Sequence, residues 1–181
     1  MTEHILHPIP PVFREDSELL ILGSFPSVKS REAKFYYGHP QNRFWKVMEC
    51  VFADAPGETV PERKAFLLRH HIALWDVIRS CDITGSSDAS IQNAEVNDLS
   101  QILKAAEIRT IFVNGRKAET LYRRCQEPHT GIRAICLPST SPANAAWSLE
   151  RLTESWRILL SAGKVGPAIK DSAEQLHQEL K

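Results

Sequence analysis

Two stretches of this 181-residue chain bring together side chains that could bind and act on a planar, polar ligand. The first is Phe35-Tyr36-Tyr37-Gly38-His39-Pro40-Gln41-Asn42-Arg43-Phe44-Trp45, and the second is Pro138-Ser139-Thr140-Ser141-Pro142-Ala143-Asn144. An aromatic ring offers a flat face on which a base can stack, an amide can hold a water molecule, and hydroxyls can donate to phosphate. Cations crowd the first stretch: Lys29, Arg31, Lys34, Arg43 and Lys46 stand against the single acid Glu32, although a solvated loop would carry the same charges. Asn42 could equally serve only as a helix cap, and one of Tyr36 and Tyr37 as ordinary packing. His39 either donates to a phosphate or braces its own loop.

Positioning these groups requires a frame, and alternating apolar segments supply one. Leu19-Leu20-Ile21-Leu22 runs into Gly23-Ser24-Phe25-Pro26-Ser27, reading as a buried strand that opens into a turn. Further strands are predicted at His71–Val77, Thr110–Val113 and Ile132–Leu137. Helical spacing predicts helices from Asn42 to Ala53, from Pro61 to His70, from about Asn97 to Ala106, and after Asn114-Gly115 through Ala118, Leu121 and Tyr122. A long amphipathic helix carrying Trp147, Leu149, Leu152, Trp156 and Leu159 is predicted to begin at the Ser139–Asn144 motif, with Ser141 capping it and Pro142 in its first turn. Four apolar strands joined by helices imply an α/β fold, a three-layer α/β/α sandwich around a four-stranded parallel sheet. Such sheets bind ligands at the carboxyl ends of their strands, here Gly23 to Ser27, Asp76, Asn114 and Ser139 to Asn144.

Bulk properties narrow the function classes. The chain suits one domain over residues 1–163, followed by a polar tail or helix at 164–181. Lys and Arg equal Asp and Glu at 22 each, so any nucleic-acid contact must come from a local patch. Cys50, Cys81, Cys125 and Cys136 form no Cys-x-x-Cys pair, which argues against zinc and iron-sulfur sites. Cys50 and Cys136 read as core residues and the other two as free thiols. No signal peptide and no 18-residue apolar run is present, so the expected location is the cytoplasm.

Taken in order, Gly-Ser-Phe-Pro-Ser, Tyr-Tyr-Gly-His-Pro-Gln-Asn-Arg-Phe-Trp and Leu-Pro-Ser-Thr-Ser-Pro-Ala-Asn resemble the uracil-DNA glycosylase superfamily. The central motif is similar to that of the mismatch-specific uracil-DNA glycosylases. The set, together with Leu74-Trp75-Asp76-Val77 and Gly85-Ser86-Ser87-Asp88, looks most like the hypoxanthine-DNA glycosylase branch, over roughly residues 17 to 162.

The resemblance implies a monofunctional enzyme that flips a deaminated base out of DNA and hydrolyses its glycosidic bond, with uracil or xanthine as alternative bases. Many superfamily members place a water-activating Asn or Asp where this chain has Phe25, and a phenyl ring cannot orient water. In the hypoxanthine branch the catalytic asparagine matches Asn42 instead. Tyr37 matches the ring that stacks on the flipped base, with Gly23, Ser24 and Phe25 beside it. Ser139 stands where ordinary uracil enzymes carry a histidine. The loop through Ser139, Thr140, Ser141, Pro142, Ala143 and Asn144, with His39 and Arg43, would grip the DNA backbone and enter the duplex as the base leaves.

Breaking a base–sugar bond builds positive charge on the sugar and negative charge on the base, so the site must hold a water below one and aim donors at the other. Asn42 can orient water but cannot ionise it. Hypoxanthine carries N1–H beside an O6 acceptor; Asp76 could accept from N1–H, or Asn114 could read both through its amide, and either could simply cap the following segment. No lysine is placed for lyase chemistry, and no metal or organic cofactor is expected. DNA is the expected partner of a monomer that does not enter membranes. A module that binds damaged DNA or a free nucleobase without cutting is the competing class, because Phe25 replaces the usual catalytic group.

Overall fold

In the computed structural model, residues 1–85 and 88–163 are described. The expectation for the tail at 164–181, and part of the Gly85–Asp88 turn, lie outside the described residues. The elements are β1 (Thr2–Leu6), β2 (Leu19–Gly23), α1 (Val28–Ala33), α2 (Phe44–Phe52), α3 (Val60–Arg69), β3 (Ile72–Asp76), β4 (Ile78–Thr84), β5 (Gln92–Val96), α4 (Ser100–Ala105), β6 (Thr110–Asn114), α5 (Arg116–Leu121), α6 (Glu127–Thr130), β7 (Ile135–Leu137), α7 (Leu149–Trp156) and α8 (Leu159–Ala162). A π-helical stretch, Tyr122–Gln126, joins α5 to α6.

All five residues of β2 and all five of β3 are buried, as expected of apolar runs covered on both faces. They form the centre of a parallel sheet in the order β3-β2-β6-β7. The register sets Gly23 beside Asp76 and Asn114 beside Leu137, so the strand ends align along one rim. Helix α2 turns Phe44, Trp45, Val47, Met48 and Val51 into the core. Phe44 meets Trp156 of α7 edge to face, with ring centroids 5.8 Å apart. Thr59 and Glu62 close a capping box at the start of α3, with Pro61 in the first turn.

The four predicted parallel strands are present, and an antiparallel sheet joins them. This second sheet has the order β1-β4-β5, and β4 follows β3 with only Val77 between. In β1 four of five residues are exposed, so it has no buried alternation that a sequence pattern could reveal. Helix α1, with Ser27 as its N-cap, lies in the stretch read as loop; six residues are too few for a clear helical period.

The last long helix starts later than predicted. Its N-cap is Ser148, whose side chain accepts from Arg151 N–H, so Ser139–Asn144 is a separate turn structure and Ser141 caps no helix. Nor does Asn42 begin α2: Arg43 holds the N-cap position. One cysteine reading is overturned, because Cys50 is exposed on the outer side of α2, whereas Cys81 forms no disulfide and lies fully buried. Cys136 is partly buried, and burial pushes its thiol up to about 12.

A candidate glycosylase active site on the sheet rim

Tyr37, Asn114, Thr140 and Asn42, spread over 104 positions of the chain, are tied into one hydrogen-bonded chain. Asn114 Nδ2 donates to Tyr37 Oη at 3.2 Å and to Thr140 Oγ1 at 3.0 Å, and Asn114 Oδ1 accepts from Thr140 N–H at 3.1 Å. The Thr140 hydroxyl donates to Asn42 Oδ1 at 2.9 Å, and the same oxygen accepts from Phe44 N–H at 3.0 Å. A backbone N–H can only donate, so the Asn42 amide has its oxygen toward α2 and Thr140 and offers its Nδ2 hydrogens.

Each link has a local cause. Asn42 follows a tight turn in which its N–H donates to His39 O, and Gln41 N–H donates to His39 Nδ1. The His39 ring thus braces its loop. Tyr37 adopts φ +54°, a conformation that side-chain-bearing residues rarely take, and Phe44 stacks on one face of its ring at 4.0 Å. Its phenol is held well above the ordinary tyrosine range, first by burial and then by the nearby Asp76 carboxylate. Tyr36, its neighbour, is the packing ring of the two, with its hydroxyl donating to Pro10 O at 2.8 Å.

Asp76 ends β3 and is 4% exposed. Its Oδ2 lies 2.7 Å from His7 Nε2, and the two side chains are 5% and 3% exposed. His7 Nδ1 accepts from Ile9 N–H at 3.2 Å, which puts the ring hydrogen of the neutral tautomer on Nε2, facing the carboxylate. Asp76 O accepts from Asn97 Nδ2, and Gln126 Nε2 in turn donates to Asn97 O, so buried amides fix the β3–β4 corner. Oδ1 is left to face Gly23. A Cβ at Gly23 would lie 2.4 Å from Asp76 Oδ1 and 2.9 Å from Tyr37 Oη. The missing side chain is therefore what lets the carboxylate and the phenol approach the same point. Phe25 stands edge-on to the His7 ring at 5.8 Å, and Ser24 opens toward solvent beside it.

The 139–144 loop builds itself. Ser141 N–H donates to Ser139 Oγ, Ala143 N–H to Ser141 Oγ, and Asn144 Nδ2 to Ser139 O. The guanidinium of Arg43 points inward and donates to Ser141 O, Asn144 O and Trp147 O, while Arg43 N–H donates to Thr140 O. Of the residues expected to touch DNA, Arg43 and the fully buried Thr140 are thus internal braces, and Pro142 and Ala143 form the exposed tip. Asn114, expected as a base reader, has both amide hydrogens and its oxygen engaged within the rim.

Beside this loop runs a groove of about 1200 Å³, lined by Ser24, Asn114, Ser139 and Asn144 at the rim. Arg116, Lys117, Arg123, Arg124 and Arg133 line it further out, against the one carboxylate of Glu119. Of the cations predicted to form the basic patch, Lys29 pairs with Glu32 and Arg31 donates to Pro26 O. Sequence reasoning missed this groove because its arginines are spread over α5, the π-helical stretch and the approach to β7. It also missed His7, which lies in a weakly patterned N-terminal segment.

Among the described residues, no three His, Cys, Asp or Glu side chains gather to hold a metal ion, and no helix is long and apolar enough to cross a membrane.

Comparison with known proteins agrees with the geometry. The family model of the uracil DNA glycosylase superfamily matches residues 10–160. A hypoxanthine DNA glycosylase of Methanosarcina acetivorans is 37% identical over 150 residues, 80% of this chain and 92% of its own length. Its counterpart in Methanosarcina barkeri is 38% identical over 153 residues, 81% of this chain and 92% of its own. The solution NMR structure of a Methanosarcina acetivorans protein assigned by name to the uracil DNA glycosylases superposes with a TM-score of 0.69 at 34% identity, covering 83% of this chain and 96% of that one. With the parallel sheet, the rim network and these matches in hand, the chain belongs to the uracil DNA glycosylase superfamily.

Proposed function

We propose that this protein is a monofunctional DNA glycosylase that flips hypoxanthine out of DNA and hydrolyses its N-glycosidic bond, leaving an abasic site. The observation that carries the reading is the Tyr37–Asn114–Thr140–Asn42 chain, which holds an amide rigidly at the strand ends where α/β sheets bind ligands.

In this reading the flipped base stacks on the face of Tyr37 that Phe44 does not cover, worth about 1–3 kcal/mol. Asp76 Oδ1 accepts from the base N1–H. As the bond to the sugar lengthens and breaks, positive charge grows on the sugar, and a water held by the Nδ2 hydrogens of Asn42 is positioned to add to it through its remaining lone pair. The water gives up a proton to solvent, from which the base anion is neutralised. Asn42 supplies position rather than basicity, since its oxygen is engaged by Phe44 N–H and Thr140. Negative charge leaves with the base, and the hydroxyls of Ser139 and Ser141, whose oxygens accept within the turn, keep their hydrogens to donate to it. Asn114, Thr140 and Arg43 act through these groups as positioning residues. Pro142 and Ala143 form the wedge that fills the space the base leaves, while His39, Ser139, Ser141 and Asn144 face the backbone. Flipping costs a few kcal/mol, least for a damaged or mispaired base. The enzyme would work as a monomer in the cytoplasm without an added cofactor.

The test is to incubate the purified protein with end-labelled duplexes carrying one hypoxanthine, uracil or xanthine, cleave abasic sites with alkali, and run Asn42→Ala in parallel. Strand breaks at hypoxanthine that disappear in Asn42→Ala are expected. Breaks only at uracil would move the protein to another branch, and DNA binding without any break would make it a non-catalytic reader.

A further inference from the structure

We infer that His7 is a specificity-determining positioning residue, which locks the Asp76 carboxylate so that its free oxygen presents an acceptor to a base bearing a ring N–H. This inference rests on the proposed function and goes beyond it by naming the device that selects the base.

Strands outside the parallel sheet bring His7 to Asp76, the last residue of β3. β1 runs antiparallel to β4, with Leu6 opposite Ser80, and His7 N–H donates to Arg79 O at 2.7 Å. Because β4 follows directly from the strand that ends at Asp76, this register sets an N-terminal histidine next to the rim, 69 residues away in sequence. The ring is held from every side. Ile9 N–H occupies Nδ1, Phe25 meets the ring edge-on at 5.8 Å, and the Tyr36 ring lies tilted to it at 6.3 Å.

Chemistry then dictates the consequence. A carboxylate buried this deeply is costly unless it is paired and hydrogen-bonded. His7 satisfies Oδ2 and cannot reach across to Oδ1 as well. Without His7 the carboxyl group is free to rotate, which would erase its preference. With His7 in place, Oδ1 stays an acceptor and meets N1–H of hypoxanthine or xanthine, or N3–H of uracil. Adenine and cytosine offer a lone pair at that edge and are repelled. A site with an unpaired buried acceptor rejects the wrong partner strongly, up to about 10⁴-fold in the best cases. Phe25, beside Gly23 on the same rim, is the ring that His7 packs against.

The experiment compares single-turnover excision of hypoxanthine with that of 1-methylhypoxanthine, which lacks the N1 hydrogen, by the wild type, His7→Phe and His7→Gln. The wild type should favour hypoxanthine. His7→Phe keeps a ring between Phe25 and Tyr36 but has no donor, and the ratio should fall at least about tenfold. His7→Gln can donate to Asp76 from its amide and should restore it. An unchanged ratio in folded His7→Phe, or a ratio that His7→Gln fails to restore, would overturn the inference while leaving the excision of hypoxanthine standing. Absence of excision by the wild type would instead sink the proposed function and this inference with it. Should His7→Phe fail to fold, ¹⁵N spectra of the wild type decide: His7 should carry its hydrogen on Nε2, with Nδ1 bare, and a hydrogen on Nδ1 would refute the lock.

Discussion

The rim has two polar halves, built on opposite principles. On one side Tyr37, Asn114, Thr140 and Asn42 form a neutral network in which Asn114 and the Asn42 oxygen are fully engaged, with Tyr37 and Asn42 from the loop before α2, Asn114 from the end of β6 and Thr140 from the turn after β7. On the other, Asp76 is a buried carboxylate whose Oδ2 is held by His7 Nε2 at 2.7 Å and whose charge acts on Tyr36 and Tyr37. The neutral half spends hydrogen bonds on rigidity, which suits a water that must be placed without being ionised. The acidic half keeps one oxygen uncommitted, which suits a base that must be told from its neighbours. A satisfied network should lose function gradually as links are cut, whereas a lone buried charge should fail at one stroke.

The largest effect should come from removing the end of the neutral chain. Asn42→Ala leaves Phe44 N–H and the Thr140 hydroxyl without their acceptor and removes the Nδ2 hydrogens proposed to hold the water. Excision should fall by about 100-fold or more while duplex affinity is nearly kept, since position rather than binding is lost. A comparable loss of affinity would mean that Asn42 grips DNA instead. Next comes Gly23→Ala, which strikes both halves at once: its methyl would sit 2.4 Å from Asp76 Oδ1 and 2.9 Å from Tyr37 Oη. Activity on hypoxanthine should drop at least about tenfold with a modest loss of stability, because overpacking costs about 1–3 kcal/mol. Normal kinetics in Gly23→Ala would show that the two groups do not meet around the base.

Thr140→Val sharpens the contrast. It keeps the buried volume but deletes the hydroxyl that joins Asn114 to Asn42, leaving polar atoms unpaired at a cost of about 1–3 kcal/mol. A lower melting temperature and a partial loss of kcat are expected, with Thr140→Ser close to wild type. If Thr140→Val were as inactive as Asn42→Ala, the network would be as brittle as the acidic half. Smaller still is the effect of the outer groove. Arg116→Ala and Arg124→Ala should each reduce the slope of log affinity against log salt by about one, without altering the preference among bases. A changed base preference would place these arginines at the base rather than at phosphates.

The sequence was most readable where burial is symmetric. The apolar runs of β2, β3 and β6 announced a parallel sheet, and its topology predicts which strand ends share a rim. Asn42 and Tyr37 could be picked out because a resemblance ordered the motifs around them. What stayed hidden depends on partners distant in sequence. Arg43 reads as a surface cation until its guanidinium is seen on three carbonyls of the 141–147 turn, and Thr140 reads as a phosphate contact until it is seen buried. His7 gave no signal, because the strand before it is mostly exposed and its partner is fixed only by the β1–β4 register. The helix predicted at Ser139 failed for a related reason: Ser139 and Ser141 take the backbone donors of that turn with their own side chains, which competes with helix formation.

Tyr37 belongs to both halves, bonded by Asn114 and raised in its titration by Asp76, so alkali provides the finest probe of how they meet. The chain has three tyrosines, Tyr36, Tyr37 and Tyr122, and burial is the first cause holding each phenol above its ordinary value of 10.0. The sign follows from proton binding. Above that ordinary value the unfolded chain releases protons that the folded one retains, so the stability these phenols lend is complete below it and is lost as pH climbs through the folded-state values. Phenolate absorbance should therefore appear together with the loss of near-ultraviolet circular dichroism, not before it. Asp76→Asn removes the negative neighbour of Tyr36 and Tyr37 but not of Tyr122, whose nearby acid is Glu127. Two phenols should then titrate earlier and the third should not. A phenolate step in the folded wild type would show that Tyr37 is open to solvent, and the two halves would have to be regarded as separate sites.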